Sequence, residues 1–451
     1  MSLRVYRLEC NGLDIFQSLV LNSKSNGPED SWPPKIENSF NGANVYWTNI
    51  GYKKYLQTGL RDSHLSVLDG NFTCTIGTVE GEILYQNEYQ VICLPSQVKV
   101  IKSYPFTYEG PRPALKRLED TRPDNLRHYS SLLDWCTYTP YTGSDESFTL
   151  LSSVGVELGL VKIGIHREIL MPNKRSSWPH AHKVEEELVY ILKGEPDIWI
   201  NGKIYGAKAG DFIFFPPGTN IAHSILNNTD ENVEMMVLGE QGDHGDLIYY
   251  PLHPSRNEEC KEQNFFWEQR PEVELGDHNG LPSKNVKREE GPWRYQTSYK
   301  DVQEVFIGDK SHENKVFHSD RDLGRALGVT RVALHHQVLP SGFRTSHPHA
   351  ESLEEEFVYI LKGTPIVWIN GHRYQMREGD SVAFPSGTGI AHTFINESGE
   401  DVELLVAGET SKKDNLCSFP INPEMLEKSP IPWKDAPLQE IGSDSAMPET
   451  K

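Results

Sequence analysis

The sequence lacks the features that mark secreted, disulfide-linked and membrane-spanning proteins. Its six cysteines are scattered and none forms a CxxC pair, so neither a disulfide framework nor a cysteine zinc site is expected. The N-terminus has no continuous apolar core of the kind found in secretory signals, and no run of about 20 apolar residues is present to span a bilayer. Together these absences predict a cytoplasmic protein.

Positive charge is also scarce. The 44 lysines and arginines are outnumbered by 64 aspartates and glutamates, which gives a formal net charge of −20. Because an acidic surface repels phosphate backbones and anionic lipid, neither nucleic acid nor a membrane surface is expected as a partner. A phosphate-cradling glycine loop and the motifs GxSxG and HExxH are absent as well, so no constellation for nucleophilic catalysis is visible.

An internal repeat is the main feature that is present. Pro179 begins the stretch PHAHKVEEELVYILKGEPDIWING, and Pro348 begins its counterpart PHAESLEEEFVYILKGTPIVWING. The offset of 169 residues holds without a gap from about residue 160 to residue 240 of the first copy and includes every turn signal. Such a correspondence predicts two copies of one folded domain.

Each copy reads as a series of short strands. Apolar, β-branched stretches end at glycine or at Asn-Gly, a strong hairpin signal, and they recur at the spacing of a sandwich or barrel. We therefore predict an all-β protein with two jelly-roll barrels in tandem and an extra N-terminal β-rich unit. The predicted segments are residues 1–110 (the N-terminal unit, of unknown role), 111–158 (a connection with a short helix around residues 127–135), 159–250 (barrel 1), 251–320 (a linker or extension between the barrels), 321–420 (barrel 2) and 421–451 (a Pro-rich C-terminal tail).

The first copy contains a set of residues typical of a metal site. His180-x-His182 places two imidazoles on one face of a strand, Glu187 follows five residues later, and His223 comes after a Pro-x-Gly-Thr turn. Three neutral imidazoles and one carboxylate can hold a divalent first-row metal and leave positions open for water or substrate. Apolar side chains that share strand parity with these ligands are expected to form a dry wall around the metal: Val189, Ile191, Ile221 and Ile225.

The second copy is altered, and its ligand set stays open at this point. His349, Glu356 and His392 match three of the first-copy residues, whereas Glu351 stands at the position of His182. Either these four residues bind a metal as a two-His, two-carboxylate set, or His347-x-His349 restores the histidine pair by a shift of two along the strand. A carboxylate-rich site favours Mn or Fe(II). A third interpretation is a degenerate barrel that is retained for structure alone.

The motif of the first copy resembles that of the cupin family. The family pattern has His-x-His, a Glu about four residues later, a Gly after six more, and then Gly, Pro-x-Gly, His and Asn. One departure is Lys174, which stands where the pattern expects a glycine. The matching residues here are His180, His182, Glu187, Gly194, Gly210, Pro216, Gly218, His223 and Asn227.

The resemblance implies a bicupin, a class that includes metal-dependent dioxygenases, oxalate-degrading enzymes, isomerases, hydrolases and storage proteins. We predict a metal-dependent dioxygenase or oxidoreductase that acts on a small polar organic molecule, with Fe(II) or Mn(II) favoured and Zn or Ni as further options. The alternatives are a metal-dependent isomerase or hydrolase and a non-catalytic binding or storage protein. Glu187 and Glu356 are the candidate catalytic residues. Either a monomer or a homo-oligomer formed through the barrel faces is compatible with the sequence.

Several charged residues near the motif leave two interpretations open. Arg175 and Arg344 occupy matching positions ahead of the ligand strands, where they either clamp a substrate carboxylate or serve at a surface or interface. Four further glutamates flank the ligand glutamates and are expected to be solvated loop charges, because glutamate is rarely buried. They are Glu185, Glu186, Glu354 and Glu355.

Overall fold

The computed structural model describes residues 122–129, 144, 146, 148–241, 245–311 and 313–449, and it also gives the strands of the N-terminal part. The chain divides into two compact units, residues 1–113 with 134–148 and residues 114–133 with 149–451. Strands predominate and helices are short; within the described residues none of the helices is long and apolar enough to cross a membrane. The prediction of an all-β fold is confirmed.

The first unit is β-rich, as predicted. Its described strands are β1 (Leu3–Cys10), β2 (Leu13–Asn22), β3 (Tyr46–Asn49), β4 (Lys54–Leu56), β5 (Ser63–Leu68), β6 (Asn71–Ile76), β7 (Val79–Gln86), β8 (Gln90–Pro95) and β9 (Val98–Phe106). They form antiparallel sheets with the orders β2-β1-β9 and β4-β3-β8-β7-β6-β5.

Barrel 1 belongs to the second unit and consists of antiparallel sheets. After β10 (Leu126–His128), its strands are β11 (Leu150–Ser152), β12 (Ile163–Leu170), β13 (Ala181–His182), β14 (Glu187–Lys193), β15 (Asp197–Ile200), β16 (Lys203–Gly206), β17 (Asp211–Phe215), β18 (His223–Leu226), β19 (Val233–Glu240), β20 (Ile248–Tyr249) and β21 (Gln296–Ser298). The larger sheet has the order β11-β12-β19-β14-β17-β21, the smaller one is β16-β15-β18, and β13 pairs with β20. The helical segments are α1 (Val154–Glu157), α2 (Pro254–Glu262) and a 3₁₀ turn (Tyr299–Asp301).

Barrel 2 has the same plan. Its strands are β22 (Val305–Gly308), β23 (Phe317–Asp322), β24 (Val332–Leu339), β25 (Phe343–Arg344), β26 (Ala350–Glu351), β27 (Glu356–Lys362), β28 (Ile366–Ile369), β29 (His372–Gln375), β30 (Asp380–Phe384), β31 (His392–Asn396), β32 (Val402–Glu409) and β33 (Cys417–Ser418), with helices α3 (Leu323–Leu327) and α4 (Pro423–Lys428). The larger sheet has the order β10-β30-β27-β32-β24-β23-β22, the smaller one is β25-β31-β28-β29, and β26 pairs with β33. Each barrel is thus a double-sheet jelly roll.

The Asn-Gly signals are hairpin turns in both barrels. Asn201 and Gly202 have φ values of 45° and 82°, and Asn370 and Gly371 have 47° and 83°. A two-residue hairpin loop of this kind needs positive φ at both positions, which asparagine and glycine tolerate best. These turns connect β15 to β16 and β28 to β29, as the sequence predicts.

Strands of the two larger sheets have a face toward the interior of their own barrel and a face toward the other barrel. On β12, Leu170 belongs to the inner core of barrel 1. Ile163 and Ile165 point the other way and pack into a core shared with Val332 and Leu334 of barrel 2. Because successive side chains of a strand alternate between its faces, even-numbered residues of β12 and odd-numbered residues of β24 face inward.

The barrels exchange strands. β10 precedes barrel 1 in the chain but pairs with β30 of barrel 2, and β21 precedes barrel 2 but pairs with β17 of barrel 1. The predicted helix around residues 127–135 is therefore wrong at Arg127 and His128, which are in β10, because pairing with an open sheet edge outweighs local propensity. Residues 130–135 of that region lie outside the described residues.

Buried glutamates join the two barrels. Glu186 accepts hydrogen bonds from the backbone N–H groups of Thr330 (2.9 Å), Arg331 (2.9 Å) and Val332 (3.2 Å) in barrel 2. The side chain is only 3% exposed. In the reverse direction, Glu355 accepts from the N–H groups of residues 161–163 of barrel 1. The prediction of solvated charges is therefore wrong for Glu186 and Glu355, because each compensates its burial with three charge-assisted bonds.

The segments that follow the barrels wrap around them. Residues 271–281 lie in the predicted linker and residues 437–447 in the predicted tail, and both pack on the barrel that precedes them in the chain. Their matching hydrogen bonds run from Trp199 Nε1 to the His278 carbonyl (2.9 Å), from Trp368 Nε1 to the Asp444 carbonyl (3.2 Å), from Gly276 N to the Asn201 carbonyl (2.7 Å) and from Gly442 N to the Asn370 carbonyl (2.8 Å). We call residues 271–281 and 437–447 the wrapping segments.

Candidate metal centres

The four predicted ligands of barrel 1 converge on one point. His180 and His223 are brought together by reciprocal backbone hydrogen bonds of 3.2 and 2.9 Å between neighbouring strand segments. Oε2 of Glu187 lies 3.1 Å from Nε2 of His223, 3.4 Å from Nε2 of His182 and 3.8 Å from Nε2 of His180. The structure thus places three imidazole nitrogens around one carboxylate oxygen.

The far side of each imidazole is fixed by an acceptor. Nδ1 of His180 lies 2.8 Å from the carbonyl oxygen of Trp178, and Nδ1 of His223 lies 3.3 Å from that of Ile221. Nδ1 of His182 lies 2.6 Å from Oδ2 of Asp246. Because these partners are acceptors, each Nδ1 carries a proton, and each Nε2 is the nitrogen that faces the common centre. This is the arrangement that neutral histidine ligands of a metal require.

Asp246 supports His182 from behind, and the sequence motif did not reveal it. Its Oδ2 holds His182, while its Oδ1 accepts from the backbone N–H groups of Val184 (2.7 Å) and Glu185 (3.3 Å). A signal was present, because the repeat continues beyond residue 240: DLIYYPLHP, from Asp246, matches NLCSFPINP, from Asn415, at the same offset. The residue that supports a ligand can therefore lie far from the ligand motif.

The pKa shifts of the clustered side chains in barrel 1 favour the binding of a cation. Burial lowers the pKa of His180 to about 3, and the neighbouring histidines add to the effect. Burial also lowers the pKa of His182, but hydrogen bonds to Asp246 and Glu187 outweigh it and raise that pKa to about 10. A metal bound at Nε2 of His182 would therefore displace a proton from it. The histidines hold the pKa of Glu187 well below its usual value despite its burial. An ionised carboxylate beside imidazoles is the ligand chemistry of a divalent first-row metal.

The predicted apolar wall is present. Val189, Ile191, Ile221 and Ile225 all belong to the inner core of barrel 1. The ring of Phe215 stacks on His223 with 3.7 Å between ring centroids. The centre is therefore shielded on its inner side, while Glu187 keeps 23% of its side chain exposed.

Barrel 2 brings together three of its predicted ligands. His349, Glu356 and His392 place their ligand atoms within 4.8 Å of one another. Nε2 of His392 lies 3.4 Å from Oε1 of Glu356, and the ring of Phe384 stacks on His392 at 3.4 Å. Nδ1 of His349 lies 2.9 Å from the carbonyl oxygen of His347, so the anchoring of barrel 1 is repeated.

Glu351, which stands at the position of His182, has different neighbours from those of that histidine. Its Oε1 lies 3.9 Å from Sγ of Cys417, and Asn415 occupies the position that Asp246 has in barrel 1. Burial raises the pKa of Glu351 to about 8, and the charges of Glu356 and Glu354 add to the effect. Replacement of a histidine by Glu351 is thus accompanied by loss of the carboxylate that would have faced it.

His347 and the two arginines contact other parts of the fold. Nε2 of His347 lies 3.2 Å from Nδ2 of Asn314, and its Nδ1 lies 3.3 Å from Nη2 of Arg344, so its ring points away from the cluster. Arg344 also donates to the carbonyl oxygens of Asn314 (2.9 Å) and Ala446 (3.1 Å), and Arg175 donates to that of Gly280 at 3.1 Å. These contacts hold the wrapping segments and favour the interface interpretation of both arginines.

Comparison with known proteins identifies the family. The model for the cupin domain matches residues 166–239 and residues 335–408, which are equivalent parts of the two barrels. The chain is a bicupin. Among known proteins it is similar to quercetin 2,3-dioxygenase of Bacillus subtilis (strain 168), with 23% identity over 259 residues that cover 53% of this chain and 72% of the relative.

Solved structures of two oxalate decarboxylases are similar to this bicupin. The enzyme from Bacillus subtilis at pH 4.6 has 16% identity and a TM-score of 0.43, with 69% of this chain and 82% of that chain covered. The enzyme from Lactobacillus farciminis in a formate complex has 14% identity and a TM-score of 0.43, with 69% and 92% covered.

Proposed function

We propose that this bicupin is a metal-dependent oxidoreductase of the dioxygenase type that acts on a small polar organic molecule. The metal is held in barrel 1 by His180, His182, Glu187 and His223, with Fe(II) or Mn(II) favoured. The observation that carries the proposal is the convergence of three Nε2 atoms on Oε2 of Glu187, with every Nδ1 anchored from behind.

The side chains of barrel 1 have distinct roles in this proposal. When bound, the metal supplies Lewis-acid chemistry and a site where substrate oxygens and O₂ can meet. Asp246 keeps His182 in the required tautomer and orientation. The described contacts of Glu187 with the imidazoles all use Oε2, which leaves Oε1 to accept a proton from a substrate hydroxyl. The apolar wall excludes water from the inner side of the centre.

The relative named quercetin 2,3-dioxygenase supports oxygen chemistry over the alternatives. Isomerase and hydrolase reactions use the same ligand set as a Lewis acid, so the ligands alone do not separate these reactions. A hydroxylated aromatic molecule is therefore the first substrate to test, and quercetin is a suitable probe.

Barrel 2 is proposed as a second metal centre. His349, Glu356 and His392 form its core, and Glu351 is its candidate fourth ligand. Two histidines and one carboxylate on one side of a metal leave several positions open, an arrangement used by non-haem iron oxygenases. Such a site is harder than that of barrel 1 and favours Fe(II) or Mn(II) more strongly.

The first experiment is elemental analysis of the full chain, followed by measurement of oxygen uptake with quercetin after loading with Fe(II) or Mn(II). We expect close to two metals per chain, and close to one if only barrel 1 binds. His223→Ala should remove one metal and the oxygen uptake, whereas His392→Ala, the matched variant in barrel 2, should remove one metal and leave barrel 1 loaded.

Other results would indicate a different function. Conversion of the substrate without oxygen uptake would indicate an isomerase or hydrolase. Stoichiometric binding of the substrate without turnover would indicate a binding protein. A wild-type chain that takes up no divalent ion would overturn the metal proposal entirely.

A further inference from the structure

A histidine–aspartate pair faces the interior of barrel 2. His335 of β24 pairs with Val406 of β32, and Glu356 of β27 pairs with Gly408 of the same strand. Positions 406 and 408 share parity, so His335 and Glu356 project from the same face of the sheet, two residues apart in register. Leu339 of β24 and Val406 pack into the inner core of barrel 2, which identifies that face as the inner one.

Asp320 fixes the orientation of His335. Nδ1 of His335 lies 3.0 Å from Oδ2 and 3.2 Å from Oδ1 of Asp320, and Nε2 of Gln337 donates to Oδ1 at 3.1 Å. Nδ1 therefore carries a proton, and Nε2 is the nitrogen left to meet a ligand. Within the described part of the chain Nε2 of His335 has no hydrogen-bond partner, and 28% of the side chain is exposed. An aspartate behind a histidine sets its tautomer and stabilises the imidazolium that forms.

Barrel 1 has no histidine–aspartate pair at the matching positions, and Nδ1 of its histidine, His166, instead lies 4.0 Å from Oε1 of Glu168. His166 occupies the position of His335, but the position of Asp320 is taken by Leu151: Leu151 pairs with Glu168 as Asp320 pairs with Gln337. The pair is thus a feature of barrel 2 that the duplication does not explain, and the metal ligands do not use it.

We propose that His335 is the residue of barrel 2 that accepts the proton of a bound small molecule with a weakly acidic hydroxyl group, such as a catechol or an enediol. This inference rests on the proposed binding of a small polar molecule but not on the proposed metal. Glu351, Glu356, Asp320 and Asp322, which pairs with His335, line or approach the interior of barrel 2, so a ligand that enters neutral is favoured over a preformed anion. The hydroxyl proton moves to Nε2, the ligand oxygen becomes an oxyanion, and the imidazolium lies between this oxyanion and the ionised carboxylate of Asp320. No bond other than O–H is broken, and no electron is transferred.

The test uses 4-nitrocatechol, whose absorption spectrum changes when it loses a proton. Binding to the full chain is followed by absorbance, with metal-loaded and with EDTA-treated protein. We expect His335→Gln to weaken binding at one site about 10- to 100-fold, the range of a lost charge-assisted hydrogen bond. Asp320→Asn should weaken it less and should shift deprotonation of the bound probe to higher pH. His166→Gln, the matched change in barrel 1, should leave binding unchanged.

The outcomes are distinguishable from those of the metal experiment. If His335→Gln retains its metal and binds the probe as His166→Gln does, this inference is wrong and the proposed function stands. If the wild-type chain holds no metal, the proposed function fails, and the EDTA-treated protein still reports whether His335 binds the probe. If His335→Gln does not fold, Asp320→Asn decides: an unchanged pH dependence of the bound probe would overturn the inference.

Discussion

The two barrels share one fold and differ in the chemistry of their interiors. Turn residues, core positions and three of the metal-ligand positions recur at an offset of 169 residues. Two linked positions differ: His182 and Asp246 of barrel 1 correspond to Glu351 and Asn415 of barrel 2. Duplication thus kept the residues that build the barrel and changed a ligand together with its support.

The two positions differ together because their side chains are close enough for their charges to interact. Asp246 lies 2.6 Å from His182, where a carboxylate stabilises an imidazole that donates through Nδ1. A glutamate at the same position would face that carboxylate at close range, and two buried like charges repel. Asn415 is neutral and removes the repulsion. This paired change of charge is what a site with a different ligand set requires, and it is consistent with the metal centre that we propose for barrel 2.

The largest effect is expected from exchanging the linked pairs. His182→Glu with Asp246→Asn gives barrel 1 the composition of barrel 2, and loss of one imidazole should lower oxygen uptake with quercetin at least about 100-fold. Glu351→His with Asn415→Asp gives barrel 2 the composition of barrel 1 and should tighten its metal binding. Metal content per chain and oxygen uptake check both variants. Unchanged activity of the first variant would show that barrel 1 is not the reacting centre.

A smaller effect is expected when only the support is changed. Asp246→Asn removes the charge behind His182 but leaves all four ligands in place, so metal affinity in barrel 1 should fall about 10- to 100-fold. Titration with Mn(II) or Zn(II) under competition from a chelator measures this change. Asn415→Ala is the matched control in barrel 2 and should leave the metal affinity of barrel 1 unchanged. If both variants lowered that affinity equally, Asp246 would not be a specific support of the barrel 1 site.

The fold and the convergence of four side chains in barrel 1 could be predicted because their signals are local. Asn-Gly turns, alternating apolar residues and the spacing from His180 to His223 all lie within one domain of the sequence. Asp246 and the strand exchange of β10 and β21 could not be predicted in the same way, since each depends on a partner that is distant in the chain. Only an extension of the repeat comparison beyond residue 240 would have pointed to Asp246.

Glu186 and Glu355 show a second limit of sequence reasoning. A glutamate in a charged loop is usually solvated, and the sequence contains no sign of the backbone N–H groups that these two residues meet. Those groups belong to the other barrel, so the compensation for burial exists only once both barrels have folded. Equivalence of the two positions in the repeat was the one available hint, because two equivalent buried residues are what a symmetric interface requires.

An effect of intermediate size is expected when a glutamate at the interface between the two barrels is removed. Glu355→Ala leaves three backbone N–H groups of barrel 1, of which that of Ile163 is buried, without their acceptor and should lower the free energy of unfolding by about 3 kcal/mol. Glu186→Ala should have a similar effect, because its contacts are the mirror of those of Glu355. Urea denaturation measures both, with Glu195→Ala as a control at an exposed position. A loss near that of the control would mean that the glutamates do not join the barrels.

The smallest effect concerns Glu168, an inward-facing residue of barrel 1 whose counterpart in barrel 2 is Gln337. Burial raises the pKa of Glu168 from 4.5 to about 8, with a further contribution from the charge of Glu187. The native state therefore keeps a proton that the unfolded chain releases above pH 4.5. The associated stability is fully present below pH 4.5 and is lost as the pH rises through about 8.

Between pH 6 and pH 7 this difference amounts to about 1.4 kcal/mol of unfolding free energy for one group. Glu168→Gln, which gives barrel 1 the residue of barrel 2, should remove that part of the pH dependence, because an amide does not titrate. Urea denaturation of EDTA-treated protein at the two pH values measures it, with Glu195→Gln as the control. If Glu168→Gln and the control show the same change of unfolding free energy between the two pH values, Glu168 is ionised in the folded protein. The interiors of the two barrels would then differ in charge at this position as well.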